Sequence, residues 1–371
     1  MNTFKRKVFI NVSDIASYIG QNKWSITEPF DRLWKKADPN YNECLNVLKN
    51  NHVNKSILLL DIEKQKNILD EKLNDKLITK KDFDSQVKNV EKQIIECKQD
   101  QEKLIKKIES VTLTHIEKIE KELSSVCEGL GNKISETITD KMIDTKDKRK
   151  TVNESIDNLL KQGKIKEHHR VELLKNTESL INKTHGTLKE QSAIDIFEKK
   201  FNVKLDTSQK YYKYMIKSTE TIEWYIGGKL DGINTDYIIE VKNRTKGFFN
   251  SLRDYELTQI QLYLLLTHYT KAKLVEKFND KIRITDIDID NNYINEILTY
   301  LNIFIESMET FIKNDSMKMK YLNLEINSDK QEILNKLYLI TINEKRNEDE
   351  QKKLIKNQDQ NYISDLDSDE L

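Results

Sequence analysis

The chain has 371 residues, of which 33% are charged and 37% apolar, and its 62 basic residues balance its 62 acidic ones. A formal net charge of zero gives no overall attraction to nucleic acid, so contact with DNA would require a local basic patch. The sequence contains no apolar run of membrane-spanning length and no recognisable signal peptide, which predicts an intracellular protein without membrane contact.

Cysteine usage indicates a reducing compartment. The three cysteines, Cys44, Cys97 and Cys127, are widely spaced and odd in number, which fits neither a disulfide framework nor a zinc site. They are also too few for an iron–sulfur cluster, which needs four thiolates. We therefore expect the protein in the cytoplasm, the nucleus or a viral factory.

Residues 8–36 predict a strand followed by two helices. The run VFINVSDIASYIG reads as a short strand, a helix capped by Ser13 and a stop at Gly20. A second helix is expected from Glu28, with Pro29 in its first turn, where proline is tolerated.

Residues 42–183 predict a set of long helices. A 3-4 apolar spacing with one interruption at Gln101 runs through this stretch, at Val87, Val90, Ile94, Cys97, Leu104, Ile108 and Val111. Thr79 and Asp82 favour a turn and a fresh helix start, so we expect an antiparallel hairpin. A less regular linker over 129–150 and a further helix pair over 152–183 follow. The abundant charges suit solvated helix faces, and the alternative is an arm that guides DNA or docks a partner.

From residue 184 onward the pattern is mixed. We expect a helix that bears Glu190, then strands over 203–205, 211–217, 224–226 and 237–241. A helix follows in which Gln259 and Tyr263 lie four residues apart, on one face. Strands over 271–276 and 282–289 and a helix over 293–313 complete this part. Beyond 327 we expect one more helix and a disordered acidic tail.

Three charged residues stand out in the otherwise apolar stretch WYIGGKLDGINTDYIIEVK. Asp231, Glu240 and Lys242 fall within twelve residues, and an unpaired buried charge is costly, so their presence needs a reason. Two carboxylates suit a hard cation and a lysine suits a phosphate. The alternative is a β-hairpin with a surface salt bridge.

The spacing Asp231, eight residues, then Glu240-Val241-Lys242 resembles the signature of the PD-(D/E)xK nucleases. Residues 8–36 resemble the opening of YqaJ-type proteins, and the Gln259–Tyr263 pair resembles the QxxxY element of RecB-like nucleases. Within the superfamily the chain looks most similar to the lambda-exonuclease and YqaJ-type viral recombinase group. The resemblance implies a restriction-endonuclease-like α/β core, with a central mixed sheet flanked by helices and an inserted, coiled-coil-like helical arm. The implied domains are 1–41 and 184–326 for the nuclease, 42–183 for the insertion, and 327–371 for a helix and tail.

The resemblance also implies a set of roles. Asp231, Glu240 and the Val241 carbonyl would hold Mg²⁺, with Mn²⁺ as an alternative, and Glu190 would lie in the outer shell. Lys242 would stabilise the transition state, and Gln259 would hold the lysine in place. Glu190 and Gln259 are thus counted with Lys242 as catalytic residues. The expected DNA contacts are Ser13, Lys229, Arg244, Lys246, Arg253 and Tyr263, with Lys23 and Trp24 as further candidates.

The function implied is a Mg²⁺-dependent exonuclease that acts at duplex DNA ends in viral-type recombination and repair. A single-strand annealing protein is the expected partner, homo-oligomer formation stays open, and a large DNA virus is an expected source. The alternatives are an endonuclease of the same fold and a non-catalytic scaffold that acts through its helical insertion.

Overall fold

The computed structural model describes residues 5–22, 26–140, 142–324 and 327–352, and gives no side-chain surroundings for 110, 115 and 185–189. Lys23, Trp24 and the acidic tail lie outside the described residues. The strands are β1 (Arg6–Asn11), β2 (Tyr211–Ser218), β3 (Ile222–Lys229), β4 (Gly232–Ile233), β5 (Ile238–Asn243), β6 (Lys271–Phe278) and β7 (Lys281–Asp288). No helix in the described part of the chain is long and apolar enough to cross a membrane.

Helices make up most of the remaining chain. The first six are α1 (Val12–Tyr18), α2 (Thr27–Ala37), α3 (Tyr41–Asn74), α4 (Lys80–Thr112), α5 (His115–Val126) and α6 (Leu130–Thr139). The next six are α7 (Thr145–Lys161), α8 (Glu167–Phe201), α9 (Asp254–Thr267), α10 (Asn291–Ile312), α11 (Asp315–Leu322) and α12 (Asn327–Leu334). A π-helical turn at Asn335–Leu339 leads into a final helical stretch over 340–352.

The chain divides into two compact units. One contains Met1–Leu33, His115–Thr310 and Gln331–Leu371, and the other contains Trp34–Thr114 and Phe311–Lys330. Residues 115–183 therefore group with the strands, whereas the expected insertion over 42–183 placed them with the helical arm. The domain plan of an insertion between two nuclease segments stays a prediction.

The strands form two mixed sheets where one central sheet was expected. The first has the order β1-β3-β2 and the second the order β4-β5-β6-β7. β1 runs parallel to β3 and β5 parallel to β6, and the other pairs are antiparallel. The expected strand at 203–205 does not form, and the nearest pairing is an isolated bridge between Asp206 and Ile233.

Helix α8 is continuous through the position where a domain boundary was expected at 183–184. Gly186 inside a helix costs about 1 kcal/mol relative to alanine, which packing can outweigh. The amino-terminal half of α8 packs with α5–α7 through Leu173, Leu180 and Ile181. Its carboxyl-terminal half packs on β5 and β6 through Ala193, Ile194 and Phe197. One helix therefore joins the helical cluster to the sheet that carries the candidate site.

The first helix begins two residues earlier than predicted. Asn11 is the N-cap of α1, and Ser13 lies in the first turn with an exposed side chain, so the expected Ser13 cap is wrong. Gly20 ends this segment as expected, with φ at +76°. α1 contacts β1, β3 and α9, which places it beside the elements of the candidate site.

The second unit contains the expected hairpin of α3 and α4. Thr79 caps α4 by accepting a hydrogen bond from the Asp82 amide, as the sequence predicted. Apolar residues of the 3-4 repeat pack between the two helices: Val87, Val90, Ile94 and Cys97 lie against Leu59, Ile62 and Leu69. At the interruption, Gln101 Nε2 donates to Ser56 Oγ across the hairpin at 2.7 Å. A polar rung therefore replaces one apolar layer.

Candidate active site

Asp231 lies in the bend between β3 and β4, and its side chain is held against β5. Asp231 Oδ2 accepts a hydrogen bond from the Val241 amide at 2.6 Å. Since β4 pairs with β5 in a short antiparallel ladder, the bend has little freedom to move away. The first carboxylate of the motif is therefore fixed next to the other two motif residues.

Glu240 and Lys242 are two residues apart on β5, so their side chains lie on the same face of the sheet. Lys242 Nζ donates to Glu240 Oε1 at 2.6 Å. Gln259, from the second turn of α9, donates to Glu240 Oε1 through Nε2 at 2.8 Å and accepts from Lys242 Nζ at 3.0 Å. The three side chains thus close a ring of hydrogen bonds, in which Gln259 touches both charged partners.

The electrostatics of the site favour an additional positive charge. Burial raises the pKa of Asp231 well above its ordinary value, and the negative charges of Glu240 and Glu190 raise it further. Burial also raises the pKa of Glu240, against the opposing effect of Lys242. Burial lowers the pKa of Lys242, but its ion pair with Glu240 and the nearby negative charge of Asp231 outweigh this and leave the pKa raised. Asp231 and Glu240 therefore both interact with the one lysine.

One buried carboxylate oxygen lacks a donor. Glu240 Oε2 has no hydrogen-bond partner among the described residues, although the residue is only 5% exposed. Within the described parts of the chain, no three His, Cys, Asp or Glu residues are arranged to hold a metal ion together. Asp231 Oδ2 and Glu240 Oε1 each accept a hydrogen bond from a protein donor. The metal ligands therefore stay predictions.

Tyr263 lies one turn after Gln259 and is buried, with 5% of its surface exposed. Its ring packs on β3 at Gly228, where an added Cβ would lie 2.8 Å from a ring carbon. Gly228 is therefore needed for the close approach of α9 to β3. The ring serves packing in this arrangement and has little surface left for the expected DNA contact.

The basic residues expected to contact DNA separate into two groups. Lys229, Lys246 and Arg253 are exposed, as is Ser13. Arg244 is different, because only 9% of its side chain is exposed and its charge is already paired.

Arg244 is at the centre of a buried ion network. Its Nη1 and Nη2 donate to the two oxygens of Glu256 at 2.7 and 3.0 Å, and its Nε donates to Glu276 Oε1 at 2.8 Å. Phe249 lies between the Arg244 and Arg253 guanidinium groups, 4.1 and 4.5 Å from the ring centre. A structural role for Arg244 is therefore better supported than a phosphate contact.

The sequence reading missed Glu256 and Glu276. Glu276 lies on β6 directly opposite Lys242 on β5, in the strand KAKLVEKF, and is only 1% exposed. A charge in an apolar run identified Glu240, but three lysines share the strand of Glu276, so its burial gives no such signal in the sequence. Glu256 carries no clear signal either, because an acidic residue in the first turn of a helix is common for reasons of the helix dipole alone.

Comparisons with known proteins give distant structural neighbours. No family model matches the chain, and no curated protein matches it. The crystal structure of the alkaline exonuclease LHK-Exo from Laribacter hongkongensis is 16% identical, with a TM-score of 0.28, over 34% of this chain and 69% of that one. Its complex with dAMP gives 17% identity, a TM-score of 0.26, and 34% and 68% coverage.

A second protein, SSO0001, is also similar in structure. It is 17% identical with a TM-score of 0.27, over 44% of this chain and 70% of that one. These TM-scores show only a distant likeness of fold.

Proposed function

We propose that the chain is a Mg²⁺-dependent deoxyribonuclease that hydrolyses phosphodiester bonds at the ends of duplex DNA. The observation that carries the proposal is the ring of buried Glu240 with half-buried Lys242 and Gln259 beside Asp231, in which one Glu240 oxygen is left without a described donor. Holding such charges out of water costs free energy that packing alone does not return. Buried, mutually perturbed ionisable groups are typical of functional sites.

The donor atoms at the site fit a hard divalent cation. The Asp231 and Glu240 carboxylates and the Val241 carbonyl would hold Mg²⁺ or Mn²⁺, with Glu190 in the outer shell. Magnesium is commonly bound through one or two carboxylates together with waters and substrate phosphates, so a preformed group of three carboxylates is not required. When bound, the ion would polarise a phosphate oxygen and lower the pKa of a bound water.

The remaining chemistry falls to the side chains. Lys242 would donate to a phosphoryl oxygen as negative charge develops there, which stabilises the transition state more than the ground state. Gln259 would keep the lysine aimed by holding its Nζ between two acceptors. The exposed Lys229, Lys246 and Arg253 would contact backbone phosphates. Hydrolysis would leave a 5′-phosphate.

The likeness of the motifs to viral recombinases extends the proposal to end processing in recombination and repair. In that setting the enzyme would leave a 3′ single strand for an annealing protein. A digestion time course on linear and covalently closed circular duplexes tests the proposal, with Mg²⁺ or EDTA present. We expect loss of the linear substrate alone, and only with Mg²⁺. Cleavage of the closed circle would identify an endonuclease, and no cleavage of either with Mg²⁺ or Mn²⁺ would contradict a nuclease function.

Replacing Gln259 by leucine is expected to slow cleavage roughly 10- to 100-fold, the usual effect of losing an outer-shell partner. Leucine removes both hydrogen bonds of the amide, so Lys242 and Glu240 lose their shared support. The rate should be measured across a Mg²⁺ titration, because a positioning role changes the rate or the midpoint while a surface role changes neither. Gln191→Leu, at an exposed position of α8, is the matched control.

A wild-type Mg²⁺ titration for Gln259→Leu would contradict this role. A variant that loses its circular dichroism signal would instead point to a folding role, and Gln259→Glu then separates the two. Glutamate keeps an acceptor for Lys242 but offers Glu240 no donor, so we expect folded protein with a lowered rate.

A further inference from the structure

The first sheet has an open face of which the proposed function uses only Lys229. On β3, Ile222, Trp224 and Ile226 are buried, and the residues between them point to the opposite side. Pairing in the sheet places Phe9 of β1 next to Tyr225, and Met215 of β2 on the other side of Tyr225. We call this side the open face, and its members are Lys7, Phe9, Tyr211, Lys213, Met215, Glu223, Tyr225 and Lys229.

Aromatic rings lie close together on the open face. The rings of Phe9 and Tyr225 stack with centres 5.1 Å apart, and Tyr211 meets Phe9 edge-on at 6.2 Å. Tyr211 lies across β3 at Gly227, where an added Cβ would come 2.2 Å from its hydroxyl oxygen. Tyr211 is 44% exposed and Met215 50%, so water reaches this apolar surface. A group of partly exposed aromatic rings is unusual unless something binds there.

Positive charge surrounds these rings. Lys7, Lys213 and Lys229 are exposed on the open face, and Lys213 Nζ lies 5.9 Å from the ring centre of Tyr225. Glu223 is the one acidic residue among the face's eight members, and it accepts a hydrogen bond from the Tyr225 hydroxyl at 2.9 Å. A second copy of this face would meet like charge, whereas a polyanion would meet opposite charge.

We propose that the open face binds single-stranded DNA, with bases stacked on Phe9, Tyr211 and Tyr225 and phosphates held by the lysines. Stacking platforms combined with basic side chains are the common means by which proteins hold single strands. The row ends near the proposed active site, because Tyr211 pairs with Lys229, and Asp231 follows Lys229 by two residues, which separates their Cα atoms by at most about 7 Å. The open face would therefore guide one separated strand to or from the site. That the ligand is DNA rests on the proposed nuclease function.

The test measures binding of a fluorescent oligo(dT) of about 12 nucleotides, a length within the usual site size. The measurement uses EDTA so that no cleavage interferes. Replacing Tyr211 and Tyr225 together by leucine should weaken binding at least tenfold, while the matching double replacement by phenylalanine keeps the rings and should bind like wild type. Tyr214→Leu is the control, because Tyr214 is 40% exposed on the opposite face of the same strand.

Each outcome decides the inference. Unchanged oligo(dT) binding by the double leucine variant would overturn it, as would a dimer that this variant dissociates in sedimentation. Wild type that cleaves duplex DNA but does not bind oligo(dT) would overturn the open face alone. Wild-type protein that binds oligo(dT) through these rings but cleaves no duplex would contradict the nuclease function and still support single-strand binding by the open face. If the double leucine variant unfolds, Lys7→Gln with Lys213→Gln serves instead, and a salt slope unchanged from wild type would overturn the proposal.

Discussion

Replacing Asp231 by asparagine or Glu240 by glutamine is expected to abolish Mg²⁺-dependent cleavage. Each change removes one negative charge that the cation needs while keeping the shape of the side chain, so the loss should exceed the roughly 10²- to 10³-fold effect of a single electrostatic contact. Cleavage of end-labelled linear duplex, measured over a wide range of Mg²⁺ concentration, gives the rate. Substantial turnover by either variant would remove the residue from the proposed site.

The Asp231→Asn variant should not lose stability. Burial and the neighbouring carboxylates hold the pKa of Asp231 well above its ordinary value, so the ionised form costs free energy in the folded state. A carboxyl group whose folded pKa is raised binds its proton more tightly when folded. Stability therefore falls as pH rises from the ordinary value through the raised one. Asparagine carries no charge, so we expect Asp231→Asn to unfold at an equal or higher denaturant concentration than wild type at neutral pH without metal.

Asp236→Asn is the matched control for these variants. Asp236 lies in the turn between β4 and β5, carries the same charge and is exposed. It should change neither the cleavage rate nor the stability. A large destabilisation of Asp231→Asn in metal-free buffer would mean that the carboxylate serves folding through its bond to Val241, and the functional assignment would then fail.

Replacing Arg244 by methionine is expected to destabilise the protein by about 3–5 kcal/mol, the usual effect of breaking a buried ion pair. Glu256 and Glu276 are 1% and 2% exposed, and the change leaves Glu256 without its guanidinium partner. Arg244→Lys keeps the charge but lacks the planar fork that reaches both carboxylates, so an intermediate loss is expected. Chemical denaturation followed by circular dichroism measures the free energy of unfolding.

This result separates the two roles considered for Arg244. A residue that only contacts phosphate would leave the free energy of unfolding unchanged and would lower the slope of DNA affinity against salt by about one unit. Lys246→Met is the control, because Lys246 is exposed two residues later. If Arg244→Met is as stable as wild type, the ion network does not hold the fold. A double replacement with Glu256→Gln should recover part of the loss, since it removes the buried charge that was left unpaired.

Local features of the fold were accessible from the sequence because neighbouring residues encode them. Alternation on a buried strand puts Glu240 and Lys242 on one face, and this needs only residues two apart. The Thr79 cap and the Gly20 stop depend on hydrogen bonds and backbone angles within one turn. The prediction that Ser13 caps the first helix was wrong by two residues, since the cap is Asn11. Helix ends are uncertain by one or two residues even where the helix itself is predicted correctly.

Which side chains are buried and which charges are paired depends on residues far apart in the chain. The periodicity of the sequence does not show these contacts. Arg244 reads as an exposed basic residue until folding brings Glu256 and Glu276 to it, the latter from 32 positions away. In the sequence Tyr263 looks like a polar residue on a helix surface, whereas in the structure its ring packs against Gly228 of β3. The sequence predicted separate helices on the two sides of 183–184, whereas α8 is one continuous helix that packs on two different clusters. The motif's residue types follow from the chain alone, whereas which charges are paired follows from packing, since the cost of a buried charge is set by the groups that surround it.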